Sequence, residues 1–217
     1  LSIKKLSNSD YNIDPVGGKF SFITSIMSSA YKRHGTILEQ AIKERLKENK
    51  NFEVYNKEKF FITNKAKTLA ALKEKNIYEM KFINLEYGSE IKGDFLEVDL
   101  IVYDKLRNIV SSYEVKRGNG YLDAGKKRSV RQELMSVNFL LKDWMKINKN
   151  INVKTAHSYV ISYYGYKALP EPFSLTKEDL DDHFSYFVTQ EVEKVNRYFK
   201  EQLHNMISQK IYGSLKV

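Results

Sequence analysis

Apolar and polar positions alternate strongly between Tyr78 and Lys116, in three runs that read as strands: YEMKFINLEY, FLEVDLIVYD and NIVSSYEVKR. The last two are joined by the polar stretch DKLRN, which predicts an antiparallel hairpin. Upstream, Ile42 and Leu46 recur at helical spacing among good helix formers, so a helix is expected from about Gly35, with a separate helix before it. A short strand near Phe52 to Tyr55 follows, then a compact helix, NKAKTLAALKEKN, opened by Asn64. After the glycine-bearing RGNGYLDAG comes an amphipathic helix with Val130, Leu134, Val137, Leu141 and Trp144 on one stripe, the stripe a core requires. HSYVISYYGY reads as a further strand. PEPF marks a loop, and the capping pattern from Thr176 to Asp179 opens a helical region reaching about Ile211. This order predicts an α/β (α+β) fold, a central mixed sheet flanked by helices.

The 217 residues, 42% of them apolar, suffice for one domain with a real core. Lysine and arginine number 36 against 27 acids, a net charge of +9, which favours a polyanionic partner such as nucleic acid. There is no cysteine, so a metal would be held by oxygen or by the four histidines. No apolar run approaches the roughly 18 residues of a membrane span, and LSIKKLSNSD lacks a signal-peptide core, so a soluble cytoplasmic protein without a membrane partner is expected.

Strand alternation sharpens the chemistry. Leu96, Val98, Leu100 and Val102 share one face of their strand, and Glu97, Asp99 and Ile101 the other. On the next strand Val110, Ser112, Glu114 and Lys116 share a face. If the apolar faces pack together against a helix, Asp99, Glu114 and Lys116 emerge side by side on the remaining face of the sheet, two carboxylates and an ammonium. Magnesium-assisted phosphodiester hydrolysis needs such a group, since the ion takes oxygen ligands and is often held by one or two carboxylates with substrate phosphate. Asp94 is the rival to Asp99, but alternation groups it with Leu96 and Val98, away from Glu114.

EVDLIVYD followed by SSYEVKR, with Asp99 and Glu114 separated by 15 positions, resembles the PD-(D/E)XK nuclease superfamily, and type II restriction endonucleases in particular. The resemblance covers roughly residues 35–165, with a C-terminal helical region at about 176–212 that has no assigned counterpart. It implies a restriction-endonuclease-like core in a single nuclease domain over residues 1–217. It also implies Mg2+ as cofactor with Mn2+ as a substitute, Asp99, Glu114 and the Val115 backbone carbonyl as metal ligands, and Lys116 as the catalytic lysine. Glu39, in GTILEQAIKERL, matches the glutamate the family often carries on an N-terminal helix, and it shares a helix face with Ile42 and Leu46. Gln132 matches a glutamine some branches place on the helix after the lysine strand.

Arg117, Lys126, Lys127, Arg128 and Arg131 cluster between the lysine strand and the next helix, where they would grip phosphates of double-stranded DNA. Lys32 and Arg33, with His34, form a second basic group. Tyr159, Tyr163, Tyr164 and Tyr166 serve either as core or as stacking surfaces for bases. Phe184, Phe187, Val192, Val195, Phe199 and Leu203 recur at roughly helical spacing, as a cap on the sheet or the interface of a homodimer suited to palindromic DNA. A structure-specific nuclease and an inactive DNA-binding protein are the alternatives.

Overall fold

In a computed structural model, residues 13, 15–73, 83–88, 91–118 and 122–214 are described. Helices α1 (Ser21–Lys47), α2 (Asn64–Lys73), α3 (Ala124–Lys149), α4 (Leu180–Phe184) and α5 (Thr189–Ser214) accompany strands β1 (Phe52–Thr63), β2 (Gly93–Asp104), β3 (Ile109–Lys116), β4 (Thr155–Ser162) and β5 (Ser174–Thr176). The strands form one sheet in the order β1-β2-β3-β4-β5. The β1–β2 and β2–β3 pairs are antiparallel and the β3–β4 and β4–β5 pairs parallel, so the sheet is mixed and the class is α+β. The chain divides into two compact units, Leu1–Ile42 with Thr189–Val217, and Lys43–Val188. No helix among the described residues is long and apolar enough to cross a membrane.

The second unit holds the sheet. Val137, Leu141 and Trp144 from α3 pack on Phe60 and Ile62 of β1, Val98 and Ile101 of β2 and Val110 of β3, as the amphipathic stripe requires. Each boundary has a local cause. Thr63 Oγ1 accepts the Ala66 N–H at 3.2 Å and opens α2. Asp123 Oδ1 accepts the Lys126 N–H at 2.8 Å and opens α3, which closes on Asn150 in the left-handed region at φ 56°. In the β2–β3 turn, Asp104 Oδ1 accepts the N–H groups of Leu106 at 2.9 Å and Arg107 at 3.0 Å, and Asn108 turns the chain with φ 55°.

Several expectations are corrected. β1 runs on to Thr63 instead of stopping near Tyr55, because its polar middle still exchanges backbone bonds with β2, which a side-chain pattern does not report. Of YEMKFINLEY, residues 78–82 lie outside those described and 83–86 form no strand. There the Leu85 N–H donates to Phe139 O at 2.7 Å and the Tyr87 N–H to Asp143 Oδ2 at 2.8 Å, so these donors serve α3 rather than a ladder. The helical region after Thr176 is broken by Ser185 at φ 48°, which leaves Phe187 72% exposed between α4 and α5. Tyr159 and Tyr163 are packed side chains, while Tyr166 is 78% exposed.

α1 is one continuous helix through Gly35. Ile26, Ala30, His34, Leu38, Ile42 and Leu46 are all buried at spacings of four, and that packing outweighs the roughly 1 kcal/mol cost of an interior glycine. In the first unit Ile26 and Ala30 cluster with Phe199, Leu203 and Met206 of α5. His34 stacks on Phe199 with ring centroids 5.0 Å apart and bonds Asn196 Oδ1 at 3.1 Å. It is therefore a core residue and not part of a basic patch.

On the face of β3 that carries Tyr113, this ring stacks on Tyr159 at 5.6 Å and bonds His183 Nε2 at 2.8 Å. Burial, reinforced by the Arg107 and His157 charges and opposed by Asp179, lowers the His183 pKa to about 4. A histidine buried neutral contributes stability above its ordinary pKa that is lost as pH falls from about 6.5 through 4, here on the order of 3 kcal/mol. Thermal denaturation of His183→Gln across that window should show a flatter acid limb than the wild type; parallel limbs would refute the assignment.

Candidate active site

Asp99 lies where both of its neighbouring ladders are interrupted. Pairing of β1 with β2 runs from Phe52↔Asp104 to Asn56↔Leu100 and resumes at Glu58↔Val98, skipping Lys57, which has φ 54°. Pairing of β2 with β3 ends at Leu100↔Tyr113. In place of the missing ladder bonds, the Asn56 side-chain N–H donates to the Asp99 carbonyl at 3.0 Å, and the Val115 N–H donates to Asp99 Oδ2 at 2.8 Å. The register is the same on both sides of the gap, because one residue of each strand, Lys57 and Asp99, leaves the pairing together.

The consequence is a change of face along β2. Ile101 and Tyr103 pack toward α3 on one side of the kink, and Leu96 and Val98 do so on the other, although their numbers differ in parity. Leu96, Val98, Ser112 and Glu114 accordingly line one small cavity against α3, so Glu114 lies on the face that the helix covers and not, as alternation predicts, on the opposite one. The alternation used to set Asp94 apart from Glu114 therefore does not hold through Asp99. Asp94 stays apart for another reason: it lies five residues back, about 17 Å along an extended strand, and is ion-paired to Lys67.

Glu114 and Lys116 stand two residues apart on β3, and the Lys116 ammonium donates to Glu114 Oε1. Burial and then the neighbouring Asp99 carboxylate push the Glu114 carboxyl above the usual range, against the pull of Lys116. Burial also raises Asp99, partly offset by the Val115 N–H and by Lys116 and Lys57. Burial works against the Lys116 charge, but the Glu114 hydrogen bond and the Glu114, Asp99 and Glu133 charges outweigh it, so Lys116 is held above the ordinary lysine value. The ammonium is thus a fixed positive charge beside two carboxylates that pay for their proximity.

That arrangement fits a divalent cation chemically. The donors are hard oxygens, and a cation between them would relieve both desolvation and mutual repulsion. Among the described residues no group of three or more histidine, cysteine or acidic side chains forms a metal cluster; Asp99 and Glu114 are two carboxylates close enough for the Asp99 charge to act on Glu114. Val115 lies between Glu114 and Lys116 with its N–H already committed to Asp99.

The remaining expected residues fall in several places. Gln132 lines a cavity of about 320 Å³ with Asp94, Leu96, Ser129 and Ser136. Glu133, which the sequence reading passed over for its neighbour, lines both this cavity and the one holding Glu114, and its charge acts on Glu114 and Lys116. Its helical spacing from Val130 and Val137 is the signal that could have found it. Lys126, Lys127 and Arg128 are exposed at the start of α3, where the first turn carries no acid, and Arg117 and Arg131 are half-buried. Glu39, 8% exposed, lies on α1 in the first unit, where Lys32 is exposed and Arg33 half-buried. Comparisons with protein-family models, curated proteins and solved structures found no match for this chain.

Proposed function

We propose that this protein is a Mg2+-dependent endodeoxyribonuclease of the PD-(D/E)XK type, acting as a type II restriction endonuclease on double-stranded DNA. The observation that carries the reading is the kink at Asp99, which ties its carboxylate to the Val115 N–H, between Glu114 and Lys116. Asp99, Glu114 and the Val115 carbonyl would hold Mg2+ or Mn2+. When bound, the ion would polarise the phosphoryl oxygen and lower the pKa of water.

This chain's own groups account for the rest. Lys116, kept charged by its acidic neighbours, would neutralise the negative charge that grows on the phosphate as the bond breaks. Gln132 would orient the nucleotide beside it. Lys126, Lys127 and Arg128, together with Arg117 and Arg131, would supply the phosphate contacts that hold a duplex in register without reading its sequence.

Digestion of a mixed-sequence DNA library with Mg2+, followed by sequencing of the ends, tests this reading. Ends sharing one short motif are expected. Intact linear duplex with cutting of four-way junctions would replace restriction by structure-specific cleavage, and no cutting of either substrate would contradict a nuclease.

A further inference from the structure

Asn56 bridges two groups whose chemistry leaves its amide a single orientation. Lys43 Nζ, which can only donate, lies 3.3 Å from Asn56 Oδ1, and the Asp99 carbonyl, which can only accept, lies 3.0 Å from Asn56 Nδ2. Lys43 is itself 8% exposed, so its charge is held close to the fold, with Glu44 3.3 Å away as its ion-pair partner. The adjacent Lys57, at φ 54°, is the position skipped by the β1–β2 ladder.

We infer that Asn56 is a positioning residue for the metal ligand Asp99, oriented by Lys43, and that the Lys57 kink exists to let this side chain replace a backbone donor. The inference rests on the metal-dependent reading of Asp99 and Glu114. A regular ladder would hold the Asp99 carbonyl through a main-chain N–H and keep the strand flat. The side-chain bond instead holds the carbonyl while the strand turns, and the Val115 N–H holds the carboxylate from the other side. Asp99 is thereby fixed at both ends without occupying a paired position. Ligand geometry set within about half an ångström distinguishes a working metal site from a loose one. Asn56 makes no claim on substrate or metal; it acts through Asp99.

Mn2+ binding to the full chain, read by electron paramagnetic resonance without DNA, tests this separately from cleavage. Asn56→Ala and Asn56→Asp should each weaken Mn2+ binding about tenfold or more. The aspartate variant keeps a partner for Lys43 but loses the donor to Asp99. A control on the same strand, Glu58→Gln, removes the 3.1 Å ion pair with Lys149 and should leave Mn2+ affinity unchanged. Melting temperatures measured without metal separate folding from positioning. Mn2+ affinity equal to wild type in Asn56→Asp, or a fall in Glu58→Gln as large as in the Asn56 variants, would overturn the inference. A wild type that binds no Mn2+ would instead remove the metal reading on which it rests.

Discussion

Glu114→Gln and Lys116→Ala are each expected to lower Mg2+-dependent DNA cleavage by about a thousandfold or more, on the order of 4 kcal/mol of transition-state stabilisation. Neither change should unfold the protein. Burial and the Asp99 charge hold the Glu114 carboxyl above its ordinary range, so its ionised form costs more in the fold than in water. A neutral glutamine of the same shape relieves that cost, so Glu114→Gln should melt at or above the wild-type temperature while losing activity, the opposition expected of a residue kept for function. Lys116 is half exposed, and its removal deletes a charge that stabilises the two carboxylates, so a small loss of stability accompanies the loss of rate. Single-turnover cleavage and thermal denaturation on the same preparations check both. A stability loss that tracks the activity loss in Glu114→Gln would make the glutamate structural.

Gly165→Ala is expected to cost about 2–4 kcal/mol of stability and to impair cleavage well below the melting temperature. Gly165 has φ +117°, and a Cβ there would sit 2.2 Å from the Gly118 carbonyl oxygen. The two loops are held together just past the end of β3, by the Tyr163 N–H to Lys116 O at 3.0 Å and the Tyr164 N–H to Arg117 O at 2.7 Å. Forcing them apart moves the end of β3 that carries Lys116. Gly88→Ala supplies the contrast. Gly88 has φ +75° but nothing within 4 Å of its would-be Cβ, so strain acts there without a clash, and a loss near 1 kcal/mol is expected. Equal losses at the two glycines, or full activity in Gly165→Ala, would show that the loop contact does not support the site.

Those contrasts also explain what could be read in advance. The α3 stripe was legible because Val137, Leu141 and Trp144 face one apolar layer, and periodicity reports such a layer directly. The β2–β3 hairpin was legible because Asp104 and Asn108 are turn residues with a mechanism. Asp99, Glu114 and Lys116 could be selected from spacing, but the reason they meet could not. Period-two alternation assumes a regular strand, and β2 changes face at Asp99 through bonds from Asn56 and Val115 that no local pattern encodes. His34 misled for a related reason: beside Lys32 and Arg33 it looks basic, while its place four residues from Ala30 and Leu38 buries it against Phe199. β5, three residues long, carries too few positions to show a period.

The most direct measurement is the fate of supercoiled plasmid DNA of varied sequence incubated with the purified protein, with Mg2+ or with EDTA, beside Glu114→Gln. Cleavage to linear DNA or discrete fragments with Mg2+, and intact plasmid with EDTA or with the variant, is the predicted result. Plasmid left intact by the wild type in Mg2+, or cut equally by Glu114→Gln, would contradict the assignment of Asp99, Glu114 and Lys116 as a nuclease site.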